Sequence, residues 1–86
     1  MKIILHKDFC KSFSKLRLNE KRRFKERRDI FILDPFHPIL NNHALLGKYK
    51  GYRSINIGGD LRAIYKPLSS NLAFFIIIET HSNLYK

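Results

Sequence analysis

Apolar residues recur every three or four positions in the first part of the chain and alternate with polar ones in much of the second. Phe9, Phe13 and Leu16 stand at i, i+4 and i+7, the stripe of an amphipathic helix. Ahead of them Lys2 to His6 reads as a short strand with Ile3 and Leu5 on one face. A second helix is expected over Glu20 to Leu33, capped by Asn19. Phe24 and Phe31, with Ile30 and one of Ile32 or Leu33, supply its apolar side. Asp34-Pro35 ends it, because proline cannot continue the hydrogen-bond ladder.

Arg53 to Ile57 then alternates as a half-buried strand does. Gly58-Gly59-Asp60 reads as a hairpin loop, Leu61 to Lys66 as the returning strand, and Pro67 to Asn71 as another turn. Leu72 to Thr80 is apolar almost throughout, as in a central strand covered on both faces. Ser82 to Lys86 is expected to be a polar tail holding Leu84 and Tyr85. The fold class is therefore α+β: a short N-terminal strand, two helices, and a three-strand antiparallel meander carrying the helices on one face. A chain of 86 residues fits one domain.

The meander has a chemical consequence. With the loop at 58 to 60, Ile57 faces Leu61 and Asn56 faces Arg62. The next hairpin brings Glu79 to His81 beside that loop, so Asp60, Arg62 and His81 converge at one end of the sheet. A register slip of one residue would turn some of them to the other face.

Charge narrows the partners. Seventeen Lys and Arg stand against seven Asp and Glu, a net charge of +10. Through Leu33 there are eleven basic and four acidic residues, many on the second expected helix. Such a field attracts a polyanion, and solubility alone needs far less charge. No run approaches the roughly 20 apolar residues of a membrane span, and no basic helix has a continuous apolar face. The single Cys10 excludes an internal disulfide and reads as a small packing residue; with no export signal, it points to the cytoplasm.

RNA cleavage fits these residue types and needs neither metal nor cofactor. Histidine transfers protons near neutrality, and the planar fork of arginine suits a crowded phosphate. His81 follows the apolar strand, where it is either rigidly presented or merely a surface ring bonded to Glu79 or a carbonyl. His43, in a loop before Gly47, is either a proton carrier or a loop tether. Asp60 orients a histidine, acts as a base, or only closes a turn; Arg62 contacts phosphate or pairs with Asp60. Lys48, Lys50 and Arg53, interleaved with Tyr49 and Tyr52, read as a backbone-tracking and stacking surface. His6 and His37 read as structural, and the four histidines carry no metal-ligand spacing.

The stretch "NNHALLGKYKGYRSINIGGDLRAIYK" and the ending "ETHSNLYK" resemble the RelE/ParE superfamily of bacterial toxins, in its YafQ-like branch. The resemblance covers nearly the whole chain. It implies an endoribonuclease that cuts mRNA within the ribosome and is silenced by a cognate antitoxin, expected to be acidic and to form a hetero-oligomer with it. It implies catalytic roles for His43, Asp60, Arg62, His81 and Tyr85, and RNA contact by Lys48, Lys50, Tyr52, Arg53 and Asn56. Asn56 and Leu61 depart from the YafQ-like pattern, which has histidine and tryptophan there. A non-catalytic inhibitor, like the gyrase-directed ParE branch, or a basic ribosome-binding module stays open beside it.

Overall fold

The two amphipathic segments form helices α1 (Lys7–Ser14) and α2 (Leu18–Leu33), whose aromatic residues lie against a sheet. The computed structural model describes residues 1–85. Its strands are β1 (Lys2–Leu5), β2 (His43–Ala44), β3 (Arg53–Gly58), β4 (Leu61–Ser69) and β5 (Leu72–Thr80). They lie in the order β1-β5-β4-β3-β2, with β1 parallel to β5 and every other pair antiparallel. This is the expected α+β arrangement: the expected N-terminal strand β1 joins one side of the meander, and β2, which was not expected, extends the other.

Phe9, Phe24, Phe31, Tyr65 and Phe75 fill the space between helices and sheet. Their rings meet mostly edge to face, Phe31 lying 5.3 Å from Phe75 and 5.1 Å from Tyr65, a geometry that aromatic quadrupoles favour. The other sheet face carries a smaller cluster, in which buried Leu45, Ile64 and Leu84 pack with Tyr49, Tyr52, Ile76 and Ile77.

Several elements differ from expectation. The second helix starts at Leu18 behind Arg17, not behind Asn19. A guanidinium has no acceptor, and it is the Glu20 carboxylate that takes the Arg17 backbone N–H at 2.9 Å. Ile32 and Leu33 are exposed, because each step along a helix turns about 100° away from the Phe24–Phe31 stripe. Cys10 is exposed for the same reason, one step beyond buried Phe9. Pro67 stays in β4 opposite Ala73, leaving Ser70 and Asn71 as the turn. The register breaks between Pro67 and Ser69, where the ladder can spare an N–H. Ser82 to Leu84 belong to one helical turn, α3 (His81–Leu84), rather than a polar tail. Thr80 caps it by accepting from the Asn83 N–H, and Leu84 is buried; Lys86 lies outside the described residues.

The β3–β4 hairpin holds a bulge. Asn56 faces Arg62 as expected, but Leu61 faces Gly58 rather than Ile57. Ile57 thus points into the main core, and the turn shrinks to Gly59-Asp60. Gly58 sits at φ +132° with the Arg23 side chain over it; a Cβ there would meet Arg23 Nη1 at 3.0 Å. Gly58→Ala is expected to destabilise the protein by about 1–3 kcal/mol through backbone strain alone, before any displacement of Arg23. Gly59, at φ +54° in open space, should cost about 1 kcal/mol as alanine. Urea denaturation of both variants measures the difference.

Candidate active site and nucleic-acid interface

Bulge and helical turn together determine which chemical groups meet. The Asn56 side-chain carbonyl accepts from the Gly58 N–H at 2.9 Å and from Arg62 Nη1 at 3.1 Å. Arg62 Nη1 also donates to the carbonyls of Gly59 (2.9 Å) and Leu61 (3.1 Å). That corner of the guanidinium is fixed, and the Nε–Nη2 edge makes no hydrogen bond among the described residues. A planar two-donor edge is the fork that pairs with a carboxylate or phosphate. Arg62 does not pair with Asp60, nor with Glu79 across the ladder, whose carboxylate accepts from the Thr80 N–H and from Asn83.

Asp60 joins the hairpin to α3. Its backbone carbonyl accepts from the His81 N–H at 2.7 Å, and its carboxylate accepts from the Ser82 hydroxyl at 2.7 Å. The Ser82 hydroxyl is the largest influence holding the Asp60 carboxyl below its ordinary value; the Ser82 N–H and the charges of His81 and Arg62 add to it against a desolvation cost. A carboxyl lowered on folding adds stability above its unfolded pKa, and that contribution is lost as pH falls through the folded value. Ser82→Ala is therefore expected to raise the Asp60 pKa toward the ordinary carboxylate range and to shrink this acid-side contribution. A carboxyl-carbon NMR titration follows it residue by residue.

The His81 ring is exposed and lies 4.8 Å from the Tyr85 ring. Tyr85 is 6.1 Å from Tyr49, and Tyr49 is 6.5 Å from Tyr52, so four rings run from the hairpin end across the face opposite α1 and α2. Lys48 Nζ stands 5.1 Å from the Tyr49 ring centre and Lys66 Nζ 5.9 Å from that of Tyr52. Lys50 is exposed at the end of the 3₁₀ turn Gly47–Tyr49.

Asn56, Asp60, Arg62, His81 and Tyr85 thus gather at one end of the sheet. His43 is on the edge strand β2 rather than in a loop; it pairs with Ser54 and shares with Asn56 the sheet face opposite α1 and α2. Its Nδ1 lies 2.8 Å from the Asn41 carbonyl, the tether foreseen as one alternative. Arg53 turns to the helix face beside Tyr65: Nε donates to the Asn42 side chain at 2.8 Å, and the guanidinium lies 5.3 Å from the Phe36 ring centre. Period-two alternation separates it from Ser54 and Asn56.

Two contributors escaped the sequence reading. Ser82 sat in the supposed tail, although a threonine three residues before Asn83 is a helix-start signal. Arg23 is one of the many basic residues of α2, yet it is half-buried over Gly58 with its Nε unpaired. Its local sequence gave no sign of this, because the contact is set by the helix–sheet packing. Most other cations are unpaired as well: among the described residues the only Lys or Arg ion pair is Arg28–Asp29, at 3.0 Å.

Known structures share this fold. A copper-bound mutant toxin from Helicobacter pylori is 30% identical over 96% of this chain and 97% of its own, with a TM-score of 0.76. The chain belongs to the RelE/ParE toxin superfamily. YafQ from E. coli matches over 99% of this chain and 98% of its own, at 26% identity and a TM-score of 0.76. YafQ in the E. coli DinJ–YafQ toxin–antitoxin complex matches at 26% identity over 99% and 97%, with a TM-score of 0.74. No protein-family model and no curated protein sequence matches the chain. This YafQ-like member of the superfamily is therefore homologous to toxins of toxin–antitoxin systems. No helix among its described residues is long and apolar enough to cross a membrane.

Proposed function

We propose that this YafQ-like protein is a single-domain toxin of a type II toxin–antitoxin module and acts as a ribosome-dependent endoribonuclease on translated mRNA. The observation that carries this reading is that a fixed Arg62, with one donor edge open, and an exposed His81 are both tied to the Gly59-Asp60 turn at the rim of a basic, aromatic sheet face. In such a cleavage the 2′-hydroxyl attacks the adjacent phosphorus and the 5′-oxygen leaves. One proton must be removed and another delivered, while charge gathers on the non-bridging oxygens.

Arg62 offers its Nε–Nη2 edge to those oxygens. His81 exchanges a proton at the hairpin end, and His43, on the same face, supplies the second imidazole. Asp60, ionised and bonded to Ser82, holds the turn that presents His81 rather than taking a proton itself. Asn56 exchanges no proton near neutrality and serves to aim Arg62. Tyr85 and Tyr52 offer faces to bases, and Lys48 and Lys50 follow the phosphate chain. Arg53 is held on the other face and takes no part.

The antitoxin bound to YafQ in its crystallised complex supports a cognate antitoxin for this chain. The net charge of +10 suits an acidic one that covers the basic face in a hetero-oligomer. A ribosomal substrate implies action in the cytoplasm. Incubation with translating ribosomes followed by mapping of new mRNA 5′ ends tests the reading: cuts confined to the ribosomal A site are expected. Intact mRNA in the presence of folded protein overturns it.

A further inference from the structure

A cavity of about 320 Å³ opens on the sheet face opposite α1 and α2, and of the residues that line it the resemblance assigns a role to Tyr52 alone. Tyr49, Tyr52 and Phe74 form its aromatic walls, Ile76 and Ile77 add apolar surface, and His6 and Asp8 supply its polar groups. Tyr49 connects it to the candidate site, since the Tyr49 ring is 6.1 Å from Tyr85, which in turn is 4.8 Å from His81.

We propose that this cavity is a nucleobase subsite, holding a base of the bound RNA a short distance along the strand from the scissile bond. The inference rests on the endoribonuclease reading above. Three observations choose a base over other parts of a nucleic acid. Walls of three aromatic rings favour a flat ring, because stacking is open to every base. The Asp8 carboxylate repels a phosphate but accepts from a base N–H or amino group. Lys66, 5.9 Å from the Tyr52 ring centre, stands where the cation of a neighbouring phosphate is needed.

His6 is prepared for the same task. Its Nδ1 accepts the Asp8 backbone N–H at 2.9 Å, which leaves the ring proton on Nε2. The ring meets Phe74 edge-on at 5.4 Å. An imidazole donor and a carboxylate acceptor at one cavity are complementary to a base edge with an acceptor beside a donor. Stacking thus supplies the hold, and Asp8 and His6 the choice among bases.

The test uses a five-nucleotide RNA with 2′-O-methyl riboses, which cannot be cleaved, carrying 2-aminopurine at each position in turn. Titrated with the full chain, it should be quenched strongly at one position. Phe74→Leu should lose that quench and bind about tenfold more weakly, the value of one stacked base. Asp8→Asn should keep the quench and alter the order of preference when the four natural bases compete for that position. RNA that binds with no position-dependent quench, or with a quench that Phe74→Leu leaves intact, overturns the subsite while the endoribonuclease reading stands. RNA that does not bind at all also overturns the subsite, while the ribosome-dependent reading is decided by the mapping of mRNA ends on translating ribosomes.

Discussion

His81→Ala is expected to slow mRNA cleavage by about 10²–10⁴-fold, the usual contribution of one positioned acid or base. Its thermal midpoint should stay close to that of the parent. The ring is exposed, and the hydrogen bond from residue 81 to the Asp60 carbonyl comes from the backbone, which alanine keeps. Arg62→Ala should cost about 10²–10³-fold through the lost charge at the phosphate. It also removes the three bonds that tie the guanidinium to Asn56, Gly59 and Leu61, so some stability goes with it. Arg62→Lys should not restore the rate, because an ammonium has no planar fork. Primer extension on mRNA from translating ribosomes gives the rates, and circular dichroism melting shows that each variant is folded. Cutting at the parental rate by a folded His81→Ala would remove that histidine from the chemistry.

Phe75→Ala is expected to destabilise the protein by about 3–5 kcal/mol, the range for truncating a buried aromatic. The site makes a milder loss difficult. Phe75 is fully buried, and its ring touches four others: Phe9 at 5.9 Å, Phe24 at 6.3 Å, Phe31 at 5.3 Å and Tyr65 at 5.1 Å. Those rings come from both helices and from β4, so none can move into the cavity without withdrawing from another neighbour. Against a total stability of about 5–15 kcal/mol, such a loss would leave much of the population unfolded at moderate temperature. Urea denaturation with matched slopes measures it. A loss below about 1 kcal/mol would mean that the aromatic cluster is not the main support of the sheet.

The sequence made some of this legible and concealed the rest for identifiable reasons. Helix α1, the span of β5 and the pairing of Asn56 with Arg62 follow from periodicity and a glycine turn, both local signals. The convergence of Asp60, Arg62 and His81 followed from the same register. The bulge at Gly58 was not legible, because it depends on Ile57 entering the core and on Arg23 lying above the turn. The edge strand β2 has two residues and no alternation to display. The parallel placement of β1 joins residues about seventy positions apart, beyond any local pattern. Arg53 was assigned to the tyrosine surface by nearness in sequence, although strand alternation sends it to the opposite side.

The scarcity of ion pairs gives ionic strength two opposed effects on this molecule. Most lysines and arginines among the described residues repel one another without a carboxylate at hand, so the folded chain carries a standing electrostatic strain. Added salt relieves that strain and weakens the attraction to any polyanion, so conditions that make the isolated protein most durable also make it the poorest ligand for one. An acidic macromolecule escapes the compromise: it relaxes the repulsion as it occupies the surface, and its binding and the added durability are then two measures of one charge balance.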